Sequence, residues 1–146
     1  LEKQLSRVYE EIDMVTTPTG KPVAMVHCNN CCTDLDYWVK LFIEFSSLSG
    51  NNLTKGEIYD LLYNEALKGD SDCGKIVSIN YFSGEPVTGF LQGRPMVLRS
   101  ENSNFNLANF MRTHIYSAIA TLKIGMEILE EENVNIDKLM GHGGLF

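Results

Sequence analysis

From Leu107 to Glu132 the chain repeats apolar residues at intervals of three and four, with no proline to interrupt them. Leu107, Phe110, Met111, Ile115, Ala118, Ile119, Leu122, Met126 and Leu129 make up the repeat. An α-helix returns to the same face at this interval, so the spacing predicts one long amphipathic helix over 107–132. A stripe of that length must be covered by other elements. Asn133 is placed to end the helix, residues 136–140 form a short element, and Gly141-His142-Gly143-Gly144 follows.

The upstream half supplies candidates for the covering layers. Turn residues between Thr16 and Pro22, followed by the apolar run Val23–Val26, read as a hairpin. Asn29 and Asn30 break it, and Thr33 or Asp34 can cap a helix whose apolar side is Leu35, Trp38, Val39, Phe42 and Ile43. Residues 46–52 read as a polar loop. Thr54 and Glu57 then make a capping box for a second helix with Ile58, Leu61, Leu62 and Leu67 inward, stopped at Gly69. The β-branched run from Ile76 to Phe82 reads as a buried strand, and the glycines and prolines from Gly84 to Pro95 as a loop. The expected class is α/β in a single domain over residues 1–146.

Composition excludes several functions. The 146 residues are 44% hydrophobic and 21% charged, an ordinary globular mixture. A net charge of −7, with 12 scattered Lys and Arg, argues against a nucleic-acid partner. No apolar run approaches the roughly 20 residues of a membrane span, and the N-terminus lacks the pattern of a secretory signal. Cys28, Cys31 and Cys32 crowd together with Cys73 far away, which is not a disulfide framework; free thiols fit a reducing compartment, and the cytoplasm is the expected location. The chain begins at Leu1 without a start methionine, as a processed or truncated polypeptide would.

Few residues point to chemistry directly. Gly141, His142, Gly143 and Gly144 could admit a nucleotide, because glycines let a backbone approach a ligand closely; the same residues also read as a flexible tail. Cys28-x-x-Cys31 between a strand and a helix start is where a thioredoxin-like redox pair would sit, against the plainer reading of half-buried free thiols. Zinc needs a fuller ligand set than His27 and these cysteines present, and no metal site is assigned. His114, one turn from Phe110, reads as a hydrogen-bonded helix histidine, the 83–94 loop as a surface connection, and Glu130–Glu132 as a solvated helix end. A P-loop and a Gly-x-Ser-x-Gly elbow are both absent from the sequence.

The order of the pieces is more specific than any one of them. Asn80-Tyr81-Phe82-Ser83-Gly84-Glu85-Pro86 resembles the strand-end Ser/Ala-Gly-Glu segment of FGGY carbohydrate kinases, and Gly93-Arg94-Pro95 the small loop after it. The helix from Asn106 through Glu132 resembles the long helix of their second domain, Asp34–Trp38 a Leu-x-Trp helix start, and Gly141–Gly144 the family's glycine-rich nucleotide loop. The likeness runs from about Cys28 onward, and the xylulokinase-like branch is the nearest in pattern.

This resemblance implies a partial actin-like ATPase (ribonuclease H-like) fold, with a mixed sheet flanked by helices. It implies a parent enzyme that uses ATP and Mg²⁺ to phosphorylate a ketose, xylulose-like, with this chain on the nucleotide side. Gly141, Gly143 and Gly144 would line the adenosine, with His142 in place of a family glycine. Cys32 and Asp36 fall where some relatives use Gly and Gln near the nucleotide. The carboxylate base belongs to the family's N-terminal domain, so no catalytic residue is expected here, and the fragment alone should be inactive. The family's phosphate loop would precede Leu1 and further strands would follow Phe146. Exposed apolar faces and a homodimer are then expected. A non-catalytic actin-like interaction domain is the alternative that keeps the fold.

Overall fold

The protein is described by a computed structural model that covers Leu1 and residues 4–136. Strands β1 (Asp13–Thr16) and β2 (Pro22–Met25) form the hairpin expected from the turn chemistry, with Met14 opposite Ala24. Helices α1 (Thr33–Leu48) and α2 (Lys55–Ala66) follow. A short β3 (Val77–Ile79) pairs with β4 (Met96–Leu98), and α3 (Leu107–Ile119) and α4 (Leu122–Glu131) complete the described chain.

The α/β class holds, but the strands differ from the single mixed sheet expected. Among the described residues they make two separate two-stranded sheets, β1–β2 and β3–β4, both antiparallel. The apolar run from Ile76 to Phe82 is a strand only over three residues, with Val77 exposed and Ile76 buried just outside it. Helix α3 covers the run instead of a further strand: Thr113 Oγ1 donates to the Ile76 carbonyl (3.1 Å) and Ser117 Oγ to the Ser78 carbonyl (3.1 Å). The two hydroxyls lie one turn apart, so one helix face hydrogen-bonds both carbonyls of the run.

Helix ends follow local chemistry. Thr54 and Glu57 form the anticipated capping box, each side chain accepting from the other residue's backbone N–H. Helix α1 begins differently: Cys32 is its cap residue and no side chain bonds the first-turn amides. Asp34, proposed as a cap, instead accepts from the Trp38 indole N–H (3.3 Å) and faces His114, so it is committed to the core. The helix also runs on through Leu48 into the segment read as a loop, and ends when Ser46 Oγ donates to the Asn51 carbonyl. On α2, Leu61 and Leu67 are exposed and Ala66 takes the inward position beside Ile58 and Leu62.

The long helix is two helices. Hydrogen bonds at 117–124 switch to a spacing of three: Ala120 N–H to Ser117, Lys123 N–H to Ala120, Ile124 N–H to Thr121. A locally tightened turn hardly changes the helical phase, so the apolar repeat continues through a break it cannot reveal. Gly125 of α4 then lies against Val26, where an added Cβ would come within 2.0 Å of Val26 Cγ2. Asn133, with φ 54°, ends α4 in the left-handed region as expected.

The core lies where α1, α2 and α3 meet: Leu35, Val39, Ile58, Leu62, Ala66, Phe110 and Met111. Trp38 meets the Phe110 ring edge to face at 4.8 Å. Met111 is 0% exposed at the centre. Replacing it with alanine should cost about 2–5 kcal/mol, because a cavity remains after the lost burial. Chemical denaturation of Met111→Ala checks this; a loss under 1 kcal/mol would mean the site collapses and is not a packing centre.

Candidate functional site at the start of helix α1

Two loops meet ahead of α1, and a buried carboxyl group joins them. Glu85, 0% exposed, accepts from the Asn29 backbone N–H (3.2 Å), the Asn30 backbone N–H (3.3 Å) and Asn30 Nδ2 (3.0 Å). Asn30, also buried, uses both ends of its amide. Its Nδ2 reaches the Gly84 carbonyl (3.2 Å), and its Oδ1 accepts from the Ser83 N–H (2.8 Å). Asn80 Nδ2 returns a bond to the Asn30 carbonyl (3.0 Å). The segment read as a surface connection is therefore tied to the N-terminal end of α1 by a buried network. Nothing in the spacing of Ser83-Gly84-Glu85-Pro86 marks that burial; the available signal was a lone acid in a glycine-rich loop.

Gly93 closes the same loop. An added Cβ would lie 2.0 Å from the Tyr81 carbonyl oxygen and 2.3 Å from that of Ser83. Backbone atoms cannot yield as a side-chain tip can, so this close approach needs glycine.

Cys32 and Asp36, the described members of the predicted nucleotide set, lie one turn apart on α1. Asp36 is already engaged by α2: Tyr59 donates its hydroxyl to the carboxylate and Lys55 Nζ stands 3.0 Å away. The Tyr59 hydrogen bond, with help from Lys55, holds the Asp36 carboxyl below the usual carboxylate range, while burial and Asp36 itself push the Tyr59 hydroxyl up. Gly141, His142, Gly143 and Gly144 lie outside the described residues, so no geometry brings them to Cys32 or Asp36.

The thiols are poorly set for redox chemistry. All four cysteines are free; Cys28 Sγ donates to the Ala118 carbonyl (3.3 Å), and the Cys31 and Cys32 sulfurs are 3.7 Å apart. Burial, then the neighbouring Cys32 and Cys28, push the Cys31 thiol up to about 12. Disulfide exchange needs a thiolate and hence the opposite shift, so the Cys28/Cys31 redox alternative finds no support.

Glu132 departs from its sequence reading, and His114 keeps its reading at one ring nitrogen only. Glu132 is buried rather than a solvated helix end, accepting from the Ser6 N–H (3.0 Å), the Ser6 hydroxyl and the Tyr9 hydroxyl (2.6 Å). His114 is buried, with Nδ1 3.1 Å from Ser78 Oγ and 3.4 Å from Asp34 Oδ2, while Nε2 has no hydrogen-bond partner. The Trp38 and Phe110 ring centres lie 5.3 and 4.5 Å from the imidazole centre. Among the described residues no group of three or more His, Cys, Asp and Glu side chains is placed to hold a metal ion, and Mg²⁺ is not assigned to them. No helix among them is long and apolar enough to cross a membrane.

Glu85→Ala should strip an acceptor from three N–H donors in a buried site and destabilise the protein by about 3 kcal/mol or more. Urea unfolding measures it, and a loss below 1 kcal/mol would show that water replaces the carboxyl freely. The Asp36 contact carries a pH signature. A carboxyl lowered in the folded state stabilises it above the unfolded value near pH 4, and that contribution disappears as pH falls through the folded value. Asp36→Asn should therefore cost about 1 kcal/mol at pH 7, reduced for a half-exposed pair, and progressively less below about pH 4. A mutant deficit that stayed constant from pH 7 to pH 2 would contradict this.

Comparison with known proteins agrees with the order of these segments. No curated protein and no solved structure matches the chain. The model of the C-terminal domain of the FGGY family of carbohydrate kinases matches residues 2–146. That match spans the β1–β2 hairpin, the Glu85 loop, all four helices and the glycine-rich segment, and the chain belongs to the FGGY family of carbohydrate kinases as part of its C-terminal domain.

Proposed function

We propose that this chain supplies the nucleotide-binding side of an ATP-dependent kinase that phosphorylates a ketose, xylulose-like, and that the acceptor base comes from another domain. Family membership makes the chain part of a carbohydrate kinase, with the actin-like ATPase fold of the FGGY C-terminal domain. The observation that carries the proposal is the family match across residues 2–146, because it extends through Gly141–Gly144.

Phosphoryl transfer relies on positioning and on neutralising charge around the transferred group. In this reading the backbone of Gly141, Gly143 and Gly144 approaches the adenosine, with His142 beside it, and Cys32 and Asp36 lie near the nucleotide. When bound, ATP supplies the transferred phosphoryl group and a divalent ion shields its phosphates. The part played by the described residues is to hold the α1 end in place. Glu85 ties the 80–86 segment to Asn29 and Asn30, and Lys55 and Tyr59 orient Asp36. Orienting a site before the ligand arrives reduces the ordering cost of binding.

The test is ADP release by the polypeptide that joins this chain to the family's N-terminal domain, over a panel of pentuloses and hexuloses. Release with a ketose, abolished by Gly143→Asp, is the expected result. A folded protein that binds nucleotide yet turns over no sugar would replace the kinase reading with the non-catalytic actin-like domain.

A further inference from the structure

Between α1, β4 and the start of α3 lies a cavity of about 470 Å³ that opens to solvent. Its apolar walls are Trp38, Phe42, Val97, Phe105, Leu107 and Phe110. Sites for small molecules run from roughly 300 to 1,000 Å³, so the space suits one small organic ligand. Cys32, Asp36, Lys55 and Tyr59 are not among its walls, and the proposed nucleotide contacts do not account for it.

The walls favour an aromatic ring. Trp38, Phe42 and Phe105 each meet Phe110 edge to face, with ring centres 4.8, 6.4 and 6.1 Å away. Aromatic pairs prefer such contacts, so a wall of rings set at steep angles to one another receives a further flat ring well. Part of the wall is fixed in advance. The Trp38 indole N–H donates to Asp34 Oδ2 at 3.3 Å, and Phe110 is buried. Phe105 and Leu107 remain 50% and 42% exposed, apolar surface that a ligand would cover.

Arg99 supplies the polar end. Among the described residues it is the one charged group lining the cavity, and it makes no ion pair with any of them. Its guanidinium lies over the Phe105 ring, 4.2 Å from the ring centre. A stacked guanidinium keeps its N–H fork in its own plane, where a carboxylate is bound by two parallel hydrogen bonds. Asn106, the other polar residue of the wall, is engaged by the fold. Its Oδ1 accepts from the Asn109 N–H (2.9 Å) and its Nδ2 donates to Asn104 Oδ1 (3.2 Å). In a chain of net charge −7, one cation favours a singly charged carboxylate over a phosphate dianion.

We propose that this cavity binds a small aromatic carboxylate, with its ring among Trp38, Phe105 and Phe110 and its carboxylate on Arg99.

Trp38 is the chain's single tryptophan, so its emission reports on the cavity directly. Titrating 4-phenylbutyrate into the 146-residue chain should change that emission with a Kd on the order of 100 µM. The uncharged amide, 4-phenylbutyramide, should bind about tenfold more weakly. Arg99→Gln should weaken the acid about tenfold and leave the amide unchanged, which erases the difference between them. Phe105→Ala should weaken both ligands about fivefold. Both side chains are exposed, and circular dichroism and melting would verify that the variants stay folded. Amide NMR shifts should be confined to α1, β4 and the start of α3. No change in emission or shifts up to ~5 mM would overturn the proposal, as would equal affinity for acid and amide. An Arg99→Gln variant that kept the preference would overturn it too. So would binding that disappears once the chain is joined to the family's N-terminal domain, because the parent protein would then cover the cavity itself.

Discussion

Helix α3 holds the described chain together by hydrogen-bonding backbone groups of the segments around it. Asn109 Oδ1 accepts from the Asp70 N–H at 2.6 Å, and its Nδ2 donates to the Asn104 carbonyl at 2.9 Å. Arg112 donates to the Ala66 and Gly69 carbonyls at the end of α2, and Thr113 and Ser117 take the carbonyls of Ile76 and Ser78. The same helix buries Phe110 and Met111 against α1 and α2. A buried, unpaired peptide group costs about as much as a hydrogen bond is worth, so short strands and abrupt helix ends persist here because one helix supplies the missing partners.

The Glu85 knot follows the same logic at higher stakes. Among the described residues three donors and no cation converge on its carboxyl group, and the donors belong to the turn that launches α1. Removing an acid of this kind leaves several desolvated N–H groups at once, which makes the site all-or-none. It also couples the 80–86 loop to the position of Cys32 and Asp36, so part of the proposed nucleotide side is organised by a residue that need not touch the nucleotide. Asp36 is oriented from the other direction, by Tyr59 and Lys55 of α2.

These contacts explain which sequence readings held. The β1–β2 turn, the Thr54–Glu57 box and the Asn133 stop are local: the residues that form each lie within a few positions of one another. The readings that changed concern partners far along the chain. Glu85 meets Asn30 across 55 positions, and Glu132 meets Ser6 across 126. An acid in a glycine-rich loop or at a helix end looks solvated until a distant donor buries it. Asp34 likewise suits a cap by type, but Trp38 and His114 draw it inward.

By itself, the sequence determined the α/β class, the capping box and the family, because turn chemistry and motif order are properties of neighbouring residues. Tertiary structure alone decided that the described strands form two separate sheets and that the long repeat breaks at Ala120 and Thr121. It also decided that Glu85 is a buried organiser, and that one apolar row of α1 faces the core while another faces water. Burial and hydrogen-bond satisfaction are settled by whatever the fold brings alongside, and a residue's type and spacing do not carry that information.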